Sequence, residues 1–259
     1  MQTVLFHETV FGPIHSRRLG TSLGINLSPT DGKICSFDCV YCEAGYNAQG
    51  QGTSGVPTRK QVKTALTRKL QQLSDEGAKL DVITFSGNGE PTLHPEFADI
   101  VADTLRLRDR LAPQARVCVL TNATFIANPK VTAALAAVDR PILKLDSANG
   151  LTFYHINQPV NRKVTVYSVI GALARFPKGK AVVQTMLLRG EHLGKPIDNT
   201  TEAEIDALIE AYREIQPAEV QLYSIDRATP EHNLTKIERP ELERIAERIK
   251  AAGINVNVF

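Results

Sequence analysis

From Leu23 onward, short aliphatic and β-branched runs alternate with longer stretches whose apolar positions recur every three to four residues. The runs LGINLS (from Leu23), DVITFS (from Asp81), RVCVL (from Arg116), PILKLDS (from Pro141), KAVVQTMLL (from Lys180) and AEVQLYSI (from Ala218) read as strands. Helical periodicity follows them over 58–75, 95–108, 129–138, 163–176, 201–215 and 240–252, several of these opening on a capping Thr or an early Pro. Strict alternation of strand and helix implies right-handed parallel crossovers and a mostly parallel sheet. INVNVF at the C-terminus is expected as an extra edge strand. Six βα units fall short of the eight that close a barrel. The expectation is one α/β domain over 1–259, an incomplete (β/α)6 TIM-like barrel of parallel strands with outer helices, ending in a helix and edge strand over 240–259.

Two segments escape this rhythm, 44–57 (AGYNAQGQGTSGVP) and 188–200 (LRGEHLGKPIDNT). Long irregular loops in compact domains are usually functional, so both are expected as gates. No internal repeat or low-complexity tract interrupts the pattern.

Composition narrows the class. The 259 residues are 42% hydrophobic, enough for a substantial core. No stretch approaches the apolar length of a membrane span, and MQTVLFHETVFG lacks the regions of a secretory leader, so the expectation is a cytoplasmic protein with no membrane contact. Net charge is +2, too small a surplus for nucleic-acid binding by the whole surface. Charge is uneven, however. No acid lies between Glu43 and Asp75, while Arg59, Lys60, Lys63, Arg68 and Lys69 fall on one expected helix. That face can meet phosphates, or simply be a solvated helix surface.

Cysteine placement changes the picture most. CSFDCVYC sets Cys35, Cys39 and Cys42 within eight residues, and Cys118 is the one other cysteine. Four cysteines in a chain of this size do not read as a secreted disulfide framework. Three thiolates on a loop (31–45) can bind three irons of a [4Fe–4S] cluster, whose usual complement is four, leaving one iron open to another ligand. The same residues admit a structural zinc site completed by His7 or His15, or a thioredoxin-like redox pair in CVYC. Cys118, in an apolar strand, reads as core. Chemistry in parallel α/β folds sits on the loops after strand C-termini. CSFDCVYC, GNGEP, TNAT and DSAN follow the first four strands in turn.

The spacing Cys35-x3-Cys39-x2-Cys42 with Tyr41 before the last cysteine, together with FSGNGEPTLHPEF and the strand rhythm, resembles the radical S-adenosylmethionine (SAM) enzymes. The resemblance implies that Cys35, Cys39 and Cys42 ligate a [4Fe–4S] cluster whose open iron binds SAM. A reduced cluster then cleaves SAM to methionine and a 5′-deoxyadenosyl radical that abstracts hydrogen. It further implies that Tyr41 packs near the adenine. GNGEP stands where the family has GGEP, with Asn88 in place of a glycine. Gly87 and Gly89 admit close backbone approach there, and Glu90 accepts from the SAM ammonium. Lys144 and Asp146 alternate on the fourth strand, where Lys144 is expected to pair with the SAM carboxylate or else to neutralise Asp146. Asn122 joins the cofactor set. Ser147 and Asn149 are expected at the ribose. Gln184, Met186 and Tyr223 are expected to line the lumen. Lys144, Tyr223 and Asp226 are the catalytic candidates, with Arg227 beside Asp226 at the substrate.

FGPIHSRRLGTSLGINLSP and FSGNGEPTLHP most resemble the subgroup of wyosine synthase, which acts on a tRNA guanosine, and this gives Arg17 and Arg18 a possible place at phosphates or base edges. That subgroup has a second cysteine trio, and Cys118 alone is too few for it. A glycyl-radical enzyme activase and a non-catalytic iron–sulfur or zinc protein are the alternatives. The substrate is left as tRNA or protein, and a reducing partner such as flavodoxin or ferredoxin is implied.

Overall fold

The computed structural model describes residues 4–16 and 18–259. The chain opens with a hairpin of β1 (Val10–Ser16) and β2 (Gly20–Ile25), paired antiparallel with Val10 opposite Ile25. From β2 the predicted alternation holds. α1 (Arg59–Asp75), β3 (Val82–Phe85), α2 (Phe97–Leu111), β4 (Arg116–Thr121), α3 (Pro129–Ala137) and β5 (Arg140–Lys144) follow. Next come α4 (Gly150–Asn157), α5 (Val166–Ala174), β6 (Val182–His192), β7 (Lys195–Asp198), α6 (Glu202–Ile215), β8 (Glu219–Ser224), β9 (Leu234–Lys236), α7 (Arg239–Ala251) and β10 (Val256–Val258).

Strands β2, β3, β4, β5, β6, β8 and β10 are hydrogen-bonded in that order and all parallel. The sheet path begins at β1 and ends at β10, so the barrel stays open, as the unit count required. β10 is the C-terminal edge strand expected from INVNVF.

Three features differ from the sequence reading. The hairpin partner β1 was not anticipated. α4 is too short to show a period, yet Asn149 caps it by accepting from the amides of Leu151 and Thr152. The supposed gate at 188–200 is a hairpin instead: β6 continues to His192 and turns back into β7 with His192 opposite Lys195. The turn residues Leu193 (φ 51°) and Gly194 (φ 73°) both lie in the left-handed region, as a two-residue hairpin turn requires. β9 pairs antiparallel with the same extension.

Strand alternation divides the buried residues between two compartments. Ile83, Phe85, Val117, Val119, Leu143, Val183, Val220 and Leu222 face outward into the layer shared with the helices, where α1 contributes Val62, Leu66, Leu70 and Leu73. The other face is the lumen. Its apolar floor is Val82, Cys118, Ile142 and Val182, joined by Leu19 from the β1–β2 turn. Cys118 is fully buried there, and burial pushes its thiol up to about 12. Above the floor the lumen turns polar: Lys144 sits level with Gln184, which donates to Gln221 (3.2 Å), and Met186 and Tyr223 follow one step higher.

Candidate active site

The cysteine loop leaves β2 and is fixed at both ends by side chains rather than by regular structure. Asn47 accepts from the Cys35 amide (3.1 Å) and donates to the carbonyls of Cys35 (3.1 Å) and Phe37 (3.2 Å). Lys33 is buried. Its ammonium donates to the carbonyl of Gly45 (2.5 Å), past the last cysteine, and to Asp38 (3.2 Å). Burial opposes its charge, and the neighbouring cysteines and Asp38 hold the ammonium above its ordinary range. Asp38 also accepts from the Asn47 amide (2.7 Å), so Lys33, Asp38 and Asn47 together close the loop into a ring.

All three cysteines are free and half-buried. Side-chain amides aim at two of the sulfurs: Asn157 donates to Cys39 Sγ (3.4 Å) and Asn122 to Cys35 Sγ (3.6 Å). Such hydrogen bonds stabilise thiolate sulfur and tune a bound metal. Burial raises the Cys39 thiol to about 11 and the Cys35 thiol higher, and a bound cation would lower both. Among the described residues, no three His, Cys, Asp or Glu side chains converge to hold a single ion. His7 bonds the Thr30 carbonyl (3.1 Å) and His15 is exposed on β1.

GNGEP is welded to this loop. A parallel bridge joins Ile34 and Gly89, with Ile34 donating to the Asn88 carbonyl (3.2 Å) and the Glu90 amide to the Ile34 carbonyl (3.0 Å). A Cβ at Gly89 would lie 1.8 Å from the Ile34 oxygen, so only glycine permits the bridge. Gly87 (φ 154°) presses similarly on Asn26. The close backbone approach expected at these glycines therefore exists, and the group approached is the protein's own loop. Glu90 is buried and takes four donors: Thr92 amide (3.0 Å) and hydroxyl (2.5 Å) and Thr121 hydroxyl (2.5 Å) on Oε1, and the Asn122 amide (2.7 Å) on Oε2. Burial raises its pKa against those bonds. Asn88 turns the other way. Its side chain accepts from Phe6 (2.8 Å) and donates to the carbonyls of Phe6 (2.9 Å) and Pro29 (2.9 Å), tethering the N-terminal segment.

Across the lumen, Asp146 is the hub. Its carboxylate accepts from Tyr41 Oη (2.5 Å), Asn157 (2.6 Å) and the Met186 amide (2.9 Å), and pairs with Lys144 (3.2 Å). Lys144 is thus both at the lumen and neutralised by Asp146, the two expectations at once. Burial disfavours its charge, but Asp146 and then Tyr223 hold the ammonium well above its ordinary range. Lys144 Nζ also donates to Tyr223 Oη (2.5 Å) and lies 5.0 Å from the Tyr41 ring centre.

Cys35, Cys39, Cys42, Tyr41, Glu90, Asn122, Lys144 and Tyr223 therefore belong to one connected rim. Ser147 and Asn149 do not face it: Ser147 donates to Glu204 of α6 (2.7 Å), and Asn149 caps α4. Asp226 and Arg227 are exposed beyond β8, and Arg227 pairs with Glu43 (2.7 Å) at the end of the cysteine loop. Lys33, Asn47 and Asn157 were missed as parts of the site, and Arg18, expected at phosphates or base edges, lies over the Tyr223 ring. Lys33 alone left a sequence signal, a charge two residues before the first cysteine. Arg17 lies outside the described residues. On α1, Arg59 bonds Asp103 of α2 (2.7 Å) and Lys63 lies 3.8 Å from it, leaving Lys60, Arg68 and Lys69 without ion pairs among the described residues.

Comparison with known proteins agrees with this geometry. The Radical SAM superfamily model matches residues 30–198. A UPF0026 protein of Synechocystis sp. is 33% identical over 85% of this chain and 77% of its own length. Other curated relatives are longer, and the chain spans 35% to 66% of their lengths. A radical SAM methyltransferase from Sphaerobacter thermophilus overlays at TM-score 0.67 with 14% identity, over 92% of this chain and 65% of that one. A TYW1 structure with a lysine-pyruvate adduct overlays at 0.59 with 13% identity, over 90% and 75%. At those identities the likeness concerns the fold. The chain belongs to the Radical SAM superfamily, whose members are enzymes using a [4Fe–4S] cluster and SAM.

Proposed function

We propose that Cys35, Cys39 and Cys42 hold the cluster of a radical SAM enzyme whose lumen binds SAM and directs hydrogen abstraction from a bound substrate. The observation that carries this reading is three free, half-buried thiols on one loop, with Asn157 and Asn122 aimed at two of the sulfurs. Three soft donors without a fourth suit a cluster with one open iron. Bound together, cluster and SAM supply one-electron chemistry that yields a carbon radical able to take hydrogen from a C–H bond.

The chain's own residues do the rest. Asn47 and Lys33 preset the loop, so binding pays little ordering entropy. Glu90 fixes Thr92, Thr121 and the Asn122 amide, and through Asn122 the donor at Cys35. Three of its four donors share Oε1, whereas Oε2 takes the Asn122 amide alone, which leaves a lone pair on Oε2 for an ammonium. Tyr41 of the cysteine loop and Lys144 of β5, locked by Asp146, form one wall of the lumen. Tyr41 offers a ring to an adenine, and Lys144 a charge to a carboxylate. Gln184 lines the lumen below them.

We further propose one unit over 1–259 working in the reducing cytoplasm with flavodoxin or ferredoxin as electron donor. A tRNA base is the first substrate class to search, because Lys60, Arg68 and Lys69, on the helix that follows the cysteine loop, remain available to phosphates. Protein loops, as for a glycyl-radical activase, come second.

The test is anaerobic reconstitution, measuring iron and sulfide per chain and then 5′-deoxyadenosine formed from SAM with dithionite. About four irons per chain and steady 5′-deoxyadenosine formation are expected. Zinc without iron, or a cluster that leaves SAM intact, overturns the proposal in favour of a non-catalytic metal protein.

A further inference from the structure

The β1–β2 turn does more than reverse the chain. β1 and β2 form one edge of the open sheet, and β8 lies next to the other edge. The turn bridges this opening: Leu19 joins the apolar floor, and the neighbouring Arg18 sets its guanidinium 4.5 Å from the centre of the Tyr223 ring. Lys144 Nζ lies 4.8 Å from the same centre. One aromatic ring at the top of the lumen thus carries two cations.

The donor count around that ring is unbalanced. Arg18 is half-buried, yet among the described residues no carboxylate or carbonyl takes any of its five N–H donors. Tyr223 accepts from Lys144, so its own O–H points elsewhere and has no acceptor among the described residues. Lys144 spends its bonds on Tyr223 and Asp146, and keeps a third N–H. Asp146, the one carboxylate in this group, is already filled by Tyr41, Asn157, Met186 and Lys144. The group therefore holds a surplus of donors and, counting Arg18, Lys144 and Asp146, one net positive charge. Arg18 and Tyr223 are half-buried, so these donors stay within reach of a ligand entering the lumen and can be completed by its oxygens.

We propose that Arg18 and Tyr223, beside Lys144, form a subsite for a terminal oxyanion of the substrate, a carboxylate or a phosphate, with Arg18 as its specificity-determining residue. The guanidinium, held over the ring, keeps its planar fork of donors for bidentate contact, and the Tyr223 hydroxyl supplies a further donor. Because Lys144 reaches from this group toward the Tyr41 ring, the subsite adjoins the wall where SAM is proposed to lie. An anchored anion there would place the rest of the substrate within the lumen, near the cysteine loop. The inference rests on the proposed function for its meaning, but its binding test does not depend on SAM cleavage.

The probes are inorganic pyrophosphate for the phosphate source and glutarate for the carboxylate source. Each is titrated calorimetrically into the anaerobically reconstituted protein without SAM or dithionite. Wild-type protein is expected to bind one probe more tightly than the other, which names the source, and to bind it less tightly as salt rises. Arg18→Gln should weaken that binding about tenfold or more, Arg18→Lys should restore part of it without the preference, and Tyr223→Phe should weaken it by about three- to tenfold. Equal binding by wild type, Arg18→Gln and Tyr223→Phe, or binding of neither probe to the wild type at millimolar concentration, overturns the subsite. A protein that binds the probe through Arg18 but leaves SAM intact keeps the subsite and loses the proposed function. One that cleaves SAM with equal probe binding in all variants does the reverse.

Discussion

The two sides of the lumen rim use polar residues in opposite ways. On the β3–β4 side, Glu90 receives four donors, Asn88 uses its carbonyl and both amide hydrogens, and Gly89 abuts the Ile34 carbonyl. Nearly every polar group there is completed by the protein. On the β5–β8 side, Asp146 anchors Lys144, but beyond it Arg18, Tyr223 and Lys144 keep donors with no acceptor among the described residues. The first side is built to hold the cysteine loop still; the second is left open to a ligand. A fully satisfied polar network rigidifies, whereas half-buried donors without protein acceptors keep their hydrogens for a ligand.

The largest expected effect lies on the loop that both sides support. Cys39→Ala should abolish 5′-deoxyadenosine formation, because the sulfur between Asn157 and the lumen is lost, while circular dichroism and thermal melting stay near the wild type. A Cys39→Ala protein that still forms 5′-deoxyadenosine would refute the ligand assignment. Glu90→Gln ranks next and tests the closed side. The amide that replaces one oxygen brings hydrogens where Thr92, Thr121 or Asn122 already donates, leaving a buried donor opposed to a donor. The cost should be about 2–4 kcal/mol of stability in urea unfolding, with the slope unchanged. A change under ~0.5 kcal/mol would mean the knot is not what fixes the loop. Asn88→Gly, which converts GNGEP to the expected GGGEP, should cost about 1–2 kcal/mol by releasing Phe6 and Pro29. Amide exchange should speed up at Phe6, whose N–H donates to Asn88.

Much of this molecule was legible in its sequence, and the reasons are local. The parallel strands announce themselves because they are buried on both faces and read as continuous aliphatic runs, such as VITF and VCVL. The cysteine triad is legible because its spacing is chemistry. Position alone, however, misplaced two kinds of residue. Ser147 and Asn149 follow β5 in the right place for ribose contact, but one turn of backbone sends Ser147 to Glu204 and makes Asn149 a helix cap. A hydroxyl or amide just past a strand has several equivalent partners, and sequence does not choose among them. Lys33, and the placement of Arg18 against Tyr223, were overlooked for the complementary reason. Each acts through a contact that spans the fold, from the hairpin turn to β8 or across the cysteine loop, and no local pattern records such contacts. The β6–β7 hairpin was hidden by its charged flanks, although Gly194 marked its turn.

The smallest expected effect decides whether the contrast between the two sides is real. Tyr223→Phe deletes a hydroxyl just as surely as Glu90→Gln disturbs a carboxylate, yet the surroundings differ. Losing the Tyr223 hydroxyl costs Lys144 one acceptor, but Asp146 still holds the ammonium at 3.2 Å, and the ring that carries Arg18 and Lys144 is kept. It also removes a donor that had no acceptor among the described residues, which offsets part of the loss. Stability should therefore change by less than about 0.5 kcal/mol, against several for the closed side. If Tyr223→Phe destabilised the fold as much as Glu90→Gln, the β5–β8 side would be structural after all. Arg18 would then be packing on Tyr223 to close the open sheet rather than waiting for an anion. Near-neutral stability with weakened oxyanion binding separates the two roles, because a hydroxyl that merely held the fold together would lose both.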